Sequence, residues 1–259
     1  MSTLTERSAR VAAAVKLHRH IGRRRAARCL AEGPNLVEAA LRRGVVSEVF
    51  ATEIAAERFS GLLADAPVQL VTERAAKALS DTVTPVGLVA VCSIPEVDLG
   101  DVLAGRPMLL AVPVGVSEPG NAGTVIRVAD AMGADAVVLA GHSVDPYNGK
   151  CLRASAGSIF SIPVVSRPEG PDTVTQIRKA GLQVLATTLD GDVSLDTVDL
   201  TIPTAWLFGP EAHGLPADLV DQATHRVHIP MRGSAESLNI ASAASICLYQ
   251  SAQAHRRTG

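Results

Sequence analysis

Apolar and polar positions follow two rhythms along this chain, one of period two and one near 3.6, and their alternation predicts the elements. Short runs rich in Val, Leu, Ala and Cys at 29–31, 45–51, 68–71 and 88–92 read as strands. Between them, stretches 36–43, 55–63 and 73–79 carry helical spacing, the first stopped by Gly44, and a basic helix at 5–19 precedes them all. A second run has predicted strands at 108–116, 136–140, 162–165, 183–187, 205–208 and 226–229. Its predicted helices lie at 121–132, 149–160, 172–180, 217–222 and 237–255. The rhythm breaks between the runs, at Pro95, Gly100, Gly105 and Pro107 with Glu96, Asp98 and Asp101, so 95–106 is read as a linker between domains 1–94 and 107–259. Strand–helix alternation at this spacing means two α/β domains. In the second, a mostly parallel sheet would bind ligands at the carboxyl ends of its strands.

Composition leaves that picture in place and narrows the function. With 47% hydrophobic and 19% charged residues among 259, the chain is expected to fold as ordinary globular protein. Aromatic residues at 3% argue against single-strand binding by extended base stacking. The formal net charge is −2, but its distribution is uneven. Arg7, Arg10, Lys16, Arg19, Arg23, Arg24, Arg25 and Arg28 face only Glu6 before residue 29. A phosphate backbone favours such a cluster through counterion release, and a solvated face explains it equally well. Cys29, Cys92, Cys151 and Cys247 lie far apart with no metal-ligand or redox-pair spacing, so no metal site and a reducing cytoplasm are expected. No apolar run is long enough to span a bilayer, and none follows the basic start as in a signal peptide.

Three stretches stand out chemically. In Glu118-Pro-Gly-Asn-Ala-Gly-Thr-Val-Ile-Arg-Val-Ala-Asp-Ala-Met-Gly133, Val125, Val128, Ala129 and Met132 form one apolar stripe. Arg127 lies roughly 200° from Val125, facing away from the stripe; Asn121 can serve as the helix N-cap. Leu207-Phe-Gly-Pro-Glu-Ala-His-Gly-Leu-Pro216 follows a strand, and alone its glycines mark no more than a tight turn. In Ile229-Pro-Met-Arg-Gly-Ser-Ala-Glu-Ser-Leu-Asn-Ile240 a strand stops at Pro230, a loop passes Gly233, and Ser237 is a natural N-cap for the Ala- and Ser-rich helix that follows.

Together these stretches resemble the three motifs of the SpoU-type RNA ribose methyltransferases, in the SPOUT superfamily. The first is matched by Asn121, Gly123 and Arg127, the second by Gly209, Glu211 and Gly214, and the third by the stretch around Ser237 and Asn239. The resemblance covers nearly the whole chain. It implies a C-terminal SPOUT α/β domain with a deep trefoil knot, a smaller N-terminal L30e-like α/β substrate-binding domain, and a homodimer. It also implies that S-adenosylmethionine binds among Thr187, Leu207, Gly209, Ile229, Met231 and Leu238. Arg127, Asn121, Glu211, Ser237 and Asn239 would then carry the chemistry, with Glu211 anchoring the site loop or pairing with Arg127. A guanidinium stays protonated and offers five donors, which suits it to hold a phosphate or stabilise an alkoxide better than to act as a base. Arg23, Arg24, Arg25 and Arg28 would meet the RNA, joined by Ser155 in Arg153-Ala-Ser-Ala-Gly157, another stretch similar to the family's pattern. His213 matches no family position and reads as a turn histidine.

The implied reaction is methylation of a ribose 2′-hydroxyl in structured RNA. Large-subunit 23S ribosomal RNA is favoured, because the layout resembles members acting there, including those conferring thiostrepton resistance. Transfer RNA is the alternative substrate, and a non-catalytic RNA-binding assembly factor of the same fold the alternative function. A doubly wound oxidoreductase lacks support, since no Gly-x-Gly-x-x-Gly follows the first strand of either half.

Overall fold

The structure, a computed structural model, describes residues 3–167 and 170–258. The chain divides into two compact units. One runs to Glu96 and also takes in Asp145–Ser161; the other holds Val97–Val144 and the residues from Ile162 on.

The first unit is built on strands β1 (Arg28–Glu32), β2 (Val46–Ala51), β3 (Val68–Leu70) and β4 (Leu88–Ser93), in the order β1-β4-β2-β3. β4 runs antiparallel to both β1 and β2, and β2 pairs with β3 in parallel. Val11, Ala14, Leu17, Leu30, Phe50, Val71, Leu79 and Val91 pack into its core. Local chemistry sets the helix ends. Thr52 and Thr72 each accept a hydrogen bond from the amide three residues on, at Ala55 and Ala75, and so cap Glu53–Arg58 and Glu73–Leu79. Gly44, at φ +73°, ends Pro34–Arg43. The basic start is two α-helices, Ala9–Val15 and His20–Ala26, joined by a 3-10 turn, in place of the single helix expected.

Residues 149–160 also depart from expectation. They form a helix, Gly149–Ser155, capped by Asn148 and broken at Ala156 and Gly157, and they belong to the first unit. A Cβ at Gly157 would stand 2.9 Å from that of Ala39.

The second unit is a seven-stranded parallel sheet: β5 (Leu109–Pro113), β6 (Ala136–Ala140), β7 (Val164–Arg167), β8 (Gln183–Thr187), β9 (Val193–Ser194), β10 (Thr204–Phe208) and β11 (His225–His228). Their order is β7-β6-β5-β10-β8-β11-β9, every pair parallel. β5, β6 and β10 are buried along their whole length, which is why they read as unbroken apolar runs. The stretch expected to be a linker contains a helix, Leu99–Ala104, capped by Asp98, with Leu99 fully buried in this unit's core. Pro95 and Pro107 flank the helix, Gly105 ends it, and Gly100 sits in its first turn, where its amide donates to the Asp98 cap. Trp206 is core, and its indole N–H donates to Ser251 Oγ at 2.9 Å. Among the described residues no helix is long and apolar enough to cross a membrane.

Candidate functional site

The carboxyl ends of β8, β10 and β11 enclose a cavity of about 680 Å³ in the second unit. Its wall combines apolar side chains of Leu189, Phe208, Ile229, Met231 and Leu238 with polar groups of Asp190, Glu211, His213, Arg226 and Ser237. Of the expected donor-site residues, Thr187, Gly209, Ile229, Met231 and Leu238 line it. Leu207 does not: its side chain is fully buried in the sheet core. The Thr187 hydroxyl is spent within the fold, donating to Leu207 O at 2.8 Å. Gly209 has a structural reason beyond access to a ligand. A Cβ there would lie 2.5 Å from the backbone of Gly214 and Leu215, so only glycine lets the loop fold back on itself.

At the mouth of the cavity one carboxylate oxygen joins the three motifs. Glu211 Oε1 accepts from Asn239 Nδ2 at 2.7 Å, from the Ile240 amide at 3.0 Å and, more weakly, from Asn121 Nδ2 at 3.5 Å. Asn239 Nδ2 also reaches Asn121 Oδ1 at 3.2 Å. Glu211 therefore anchors the loop and places negative charge at the N-terminus of the helix Ile240–Thr258, where the helix dipole favours it.

Two caps differ from expectation. Asn239, not Ser237, caps that helix, accepting from the Ala241 amide at 2.9 Å, and this leaves Ser237 exposed in the cavity wall. Glu118 caps Pro119–Ala131, with Pro119 in the first turn, so Asn121 sits inside the helix and its side chain is available to Glu211. Ala122, Val125, Ile126 and Ala129 form that helix's buried stripe. Arg127 is exposed opposite it and forms no ion pair among the described residues, so the alternative of a Glu211–Arg127 pair within one chain falls away.

The expected RNA-contact residues divide. Arg24, Arg25 and Arg28 are exposed. Arg23 is 5% exposed; its guanidinium reaches Asp145 at 2.7 Å and donates to Leu17 O and His18 O, so it holds the first unit together and is not free to meet RNA. Ser155 is fully buried, its hydroxyl donating to Leu152 O. The sequence reading also passed over Asp190 and Arg226 and kept His213 out of the site; the cavity wall contains all three. An acidic residue just past the carboxyl end of a strand in a parallel sheet is the signal that was available for Asp190, three residues after β8.

Comparison with known proteins completes the picture. Residues 108–249 match the SpoU rRNA methylase family, and residues 8–90 match the MRM3-like substrate binding domain. The 23S rRNA (guanosine(2553)-2′-O)-methyltransferase RlmP of Bacillus subtilis is 37% identical over 238 residues, covering 90% of this chain and 92% of the relative. The SpoU methyltransferase AviRb of Streptomyces viridochromogenes, solved in complex with AdoMet, superposes with a TM-score of 0.86 at 32% identity, covering 98% of this chain and 100% of that one. An AdoMet-bound rRNA methyltransferase from Sinorhizobium meliloti gives 0.84 at 29% identity, with 97% of each chain covered. On its motifs, its fold and its relatives, this chain belongs to the SpoU rRNA methylase family.

Proposed function

We propose that the protein transfers the methyl group of S-adenosylmethionine to a ribose 2′-hydroxyl in 23S ribosomal RNA. The observation that carries this is the single carboxylate oxygen of Glu211 tying Asn121 and Asn239 together at the mouth of the cavity. The cavity suits the donor. Its volume falls within the roughly 300–1,000 Å³ usual for such ligands, its apolar wall fits an adenine, and Asp190, Glu211 and Asp221 offer carboxylates to a sulfonium cation. When bound, the donor supplies an electrophilic methyl group on sulfur and leaves as a neutral thioether.

The chain's own residues align the attacking hydroxyl and manage its charge. Glu211 fixes Asn239, Asn121 and the start of the long helix, so the third motif enters the site in one conformation. Ser237 presents an exposed hydroxyl in the wall, placed to hold the ribose or relay its proton. Arg127, a guanidinium with no ion-pair partner among the described residues, holds the target phosphate or the developing alkoxide. Exposed Ile246 and Tyr249 on Ile240–Thr258, with Pro119–Ala131 packed beside that helix, support a homodimer. Four free buried cysteines support a cytoplasmic location. The reading includes a knotted C-terminal segment, which rests on membership of the family alone.

The test is transfer of labelled methyl to separated, unmodified ribosomal and transfer RNAs, with Arg127→Ala alongside. Label in 23S RNA at a nucleotide that resists alkaline cleavage, lost in the variant, is expected. Label confined to transfer RNA would overturn the substrate. Failure to bind S-adenosylmethionine would overturn the enzyme reading in favour of a non-catalytic RNA-binding factor.

A further inference from the structure

Arg226 is the one Lys or Arg among the described residues lining the cavity, whose wall otherwise carries the carboxylates of Asp190, Glu211 and Asp221. Its own partners hold it loosely. Nη1 stands 3.8 Å from Asp190 Oδ2 and Nε 3.6 Å from Asp192 Oδ1, both beyond hydrogen-bond distance; the Arg226 side chain is half-buried and those of Asp190 and Asp192 are largely exposed. Such pairs contribute little and exchange readily. The guanidinium therefore has donors to spare at a wall whose other charged side chains are carboxylates.

The methyl donor carries its own pair of opposite charges, the α-carboxylate and α-ammonium of its methionine part. A cation and a carboxylate side by side at the wall, not hydrogen-bonded to each other, match that zwitterion. We infer that Arg226 and Asp190 form the subsite for the amino-acid head of the donor, Arg226 taking the carboxylate and Asp190 the ammonium. This rests on the methyl-donor reading of the cavity. Asp192, outside the wall, competes for Arg226 and tempers the subsite.

Titration calorimetry on the full-length protein tests this with two ligands, S-adenosylhomocysteine, which keeps the head, and 5′-methylthioadenosine, which lacks it. For Arg226→Gln, binding of S-adenosylhomocysteine is expected to weaken about 10-fold, the scale of one charge-assisted contact, while 5′-methylthioadenosine binds as before. Arg226→Lys should recover part of the loss, and Asp192→Asn should tighten S-adenosylhomocysteine alone. Equal losses for both ligands, or none, would overturn the subsite while leaving the donor cavity standing. If the unsubstituted protein bound neither ligand, the methyl-donor reading itself would fall, and the subsite with it.

Discussion

Arg23 gives the sharpest test of how the first unit is held. Its Nε and Nη2 reach Asp145 Oδ2 at 2.8 and 2.7 Å, and Nη1 donates to Leu17 O at 2.9 Å and His18 O at 2.8 Å. The side chain is 6% exposed and that of Asp145 20%. Arg23→Ala leaves Asp145 with the Tyr147 amide as its remaining partner, on Oδ1, and strips two carbonyls of their donor. Removing one member of a buried pair costs about 3–5 kcal/mol, and the partial exposure of Asp145 puts this case near 3. At a urea slope of about 1.5 kcal/mol per molar, the unit's midpoint should fall by roughly 2 M. Two probes separate the units. Far-UV circular dichroism follows both, whereas Trp206, the sole tryptophan, sits buried in the second. An early phase in dichroism with the Trp206 midpoint held is the expected result, and Arg24→Ala, on an exposed side chain, should shift neither by more than about 0.5 kcal/mol. A dichroism midpoint unchanged in Arg23→Ala would refute the reasoning.

Other expectations follow from the same structure. Replacing Arg24, Arg25 and Arg28 together by Ala should weaken RNA binding and flatten its dependence on salt by up to about three counterions' worth, read from affinities at several salt concentrations, with donor affinity unchanged. Glu211→Ala frees Asn239 and the Ile240 amide, so methyl transfer should drop more than in Glu211→Gln, which keeps an acceptor, and amide exchange should rise over residues 239–243. Burial pushes the Cys151 thiol from its ordinary value near 9 up to about 12, and that of Cys247 in the same direction. The folded state then keeps protons that the unfolded chain gives up. Stability is fully present below pH 9 and declines as pH rises toward 12, with a limiting slope of about 1.4 kcal/mol per pH unit for each such thiol. Urea midpoints at pH 8 and 10.5 should show the fall, and Cys151→Ala should lessen it.

Much of this was legible in the sequence because it is local. β6 and β8 lie at their expected bounds, and Glu73–Leu79 does too, since an apolar period, a Thr cap and a terminating residue are all written within a few positions. What failed depends on residues far apart. Nothing near Ser155 marks it as buried, and nothing in the basic run separates Arg23 from Arg24 until Asp145 arrives 122 positions later. The missed helix at Leu99–Ala104 shows a different limit. Pro95, Gly100, Gly105 and Pro107 read as breakers, but six residues suffice for a short helix when Asp98 caps it and Leu99 is buried. The caps slipped for a related reason. Ser237 and Asn121 each suit an N-cap, yet Asn239 and Glu118 stand where the backbone turns, and side-chain type alone could not choose between neighbours.

The displaced caps also explain how the site comes to be one object. Asn121 and Glu211 are 90 positions apart and Glu211 and Asn239 are 28 apart, yet the parallel order β5-β10-β8-β11 brings the stretches after β5, β10 and β11 to one end of the sheet. Had Asn121 capped its helix, its side chain would be turned onto its own backbone; with Glu118 in that role, its amide can reach across to Glu211. Had Ser237 capped the last helix, its hydroxyl would be spent, and the wall would lose the exposed hydroxyl that Ser237 presents there. Moving each cap by two or three residues is what releases these polar groups for the chemistry at the carboxyl ends of the strands.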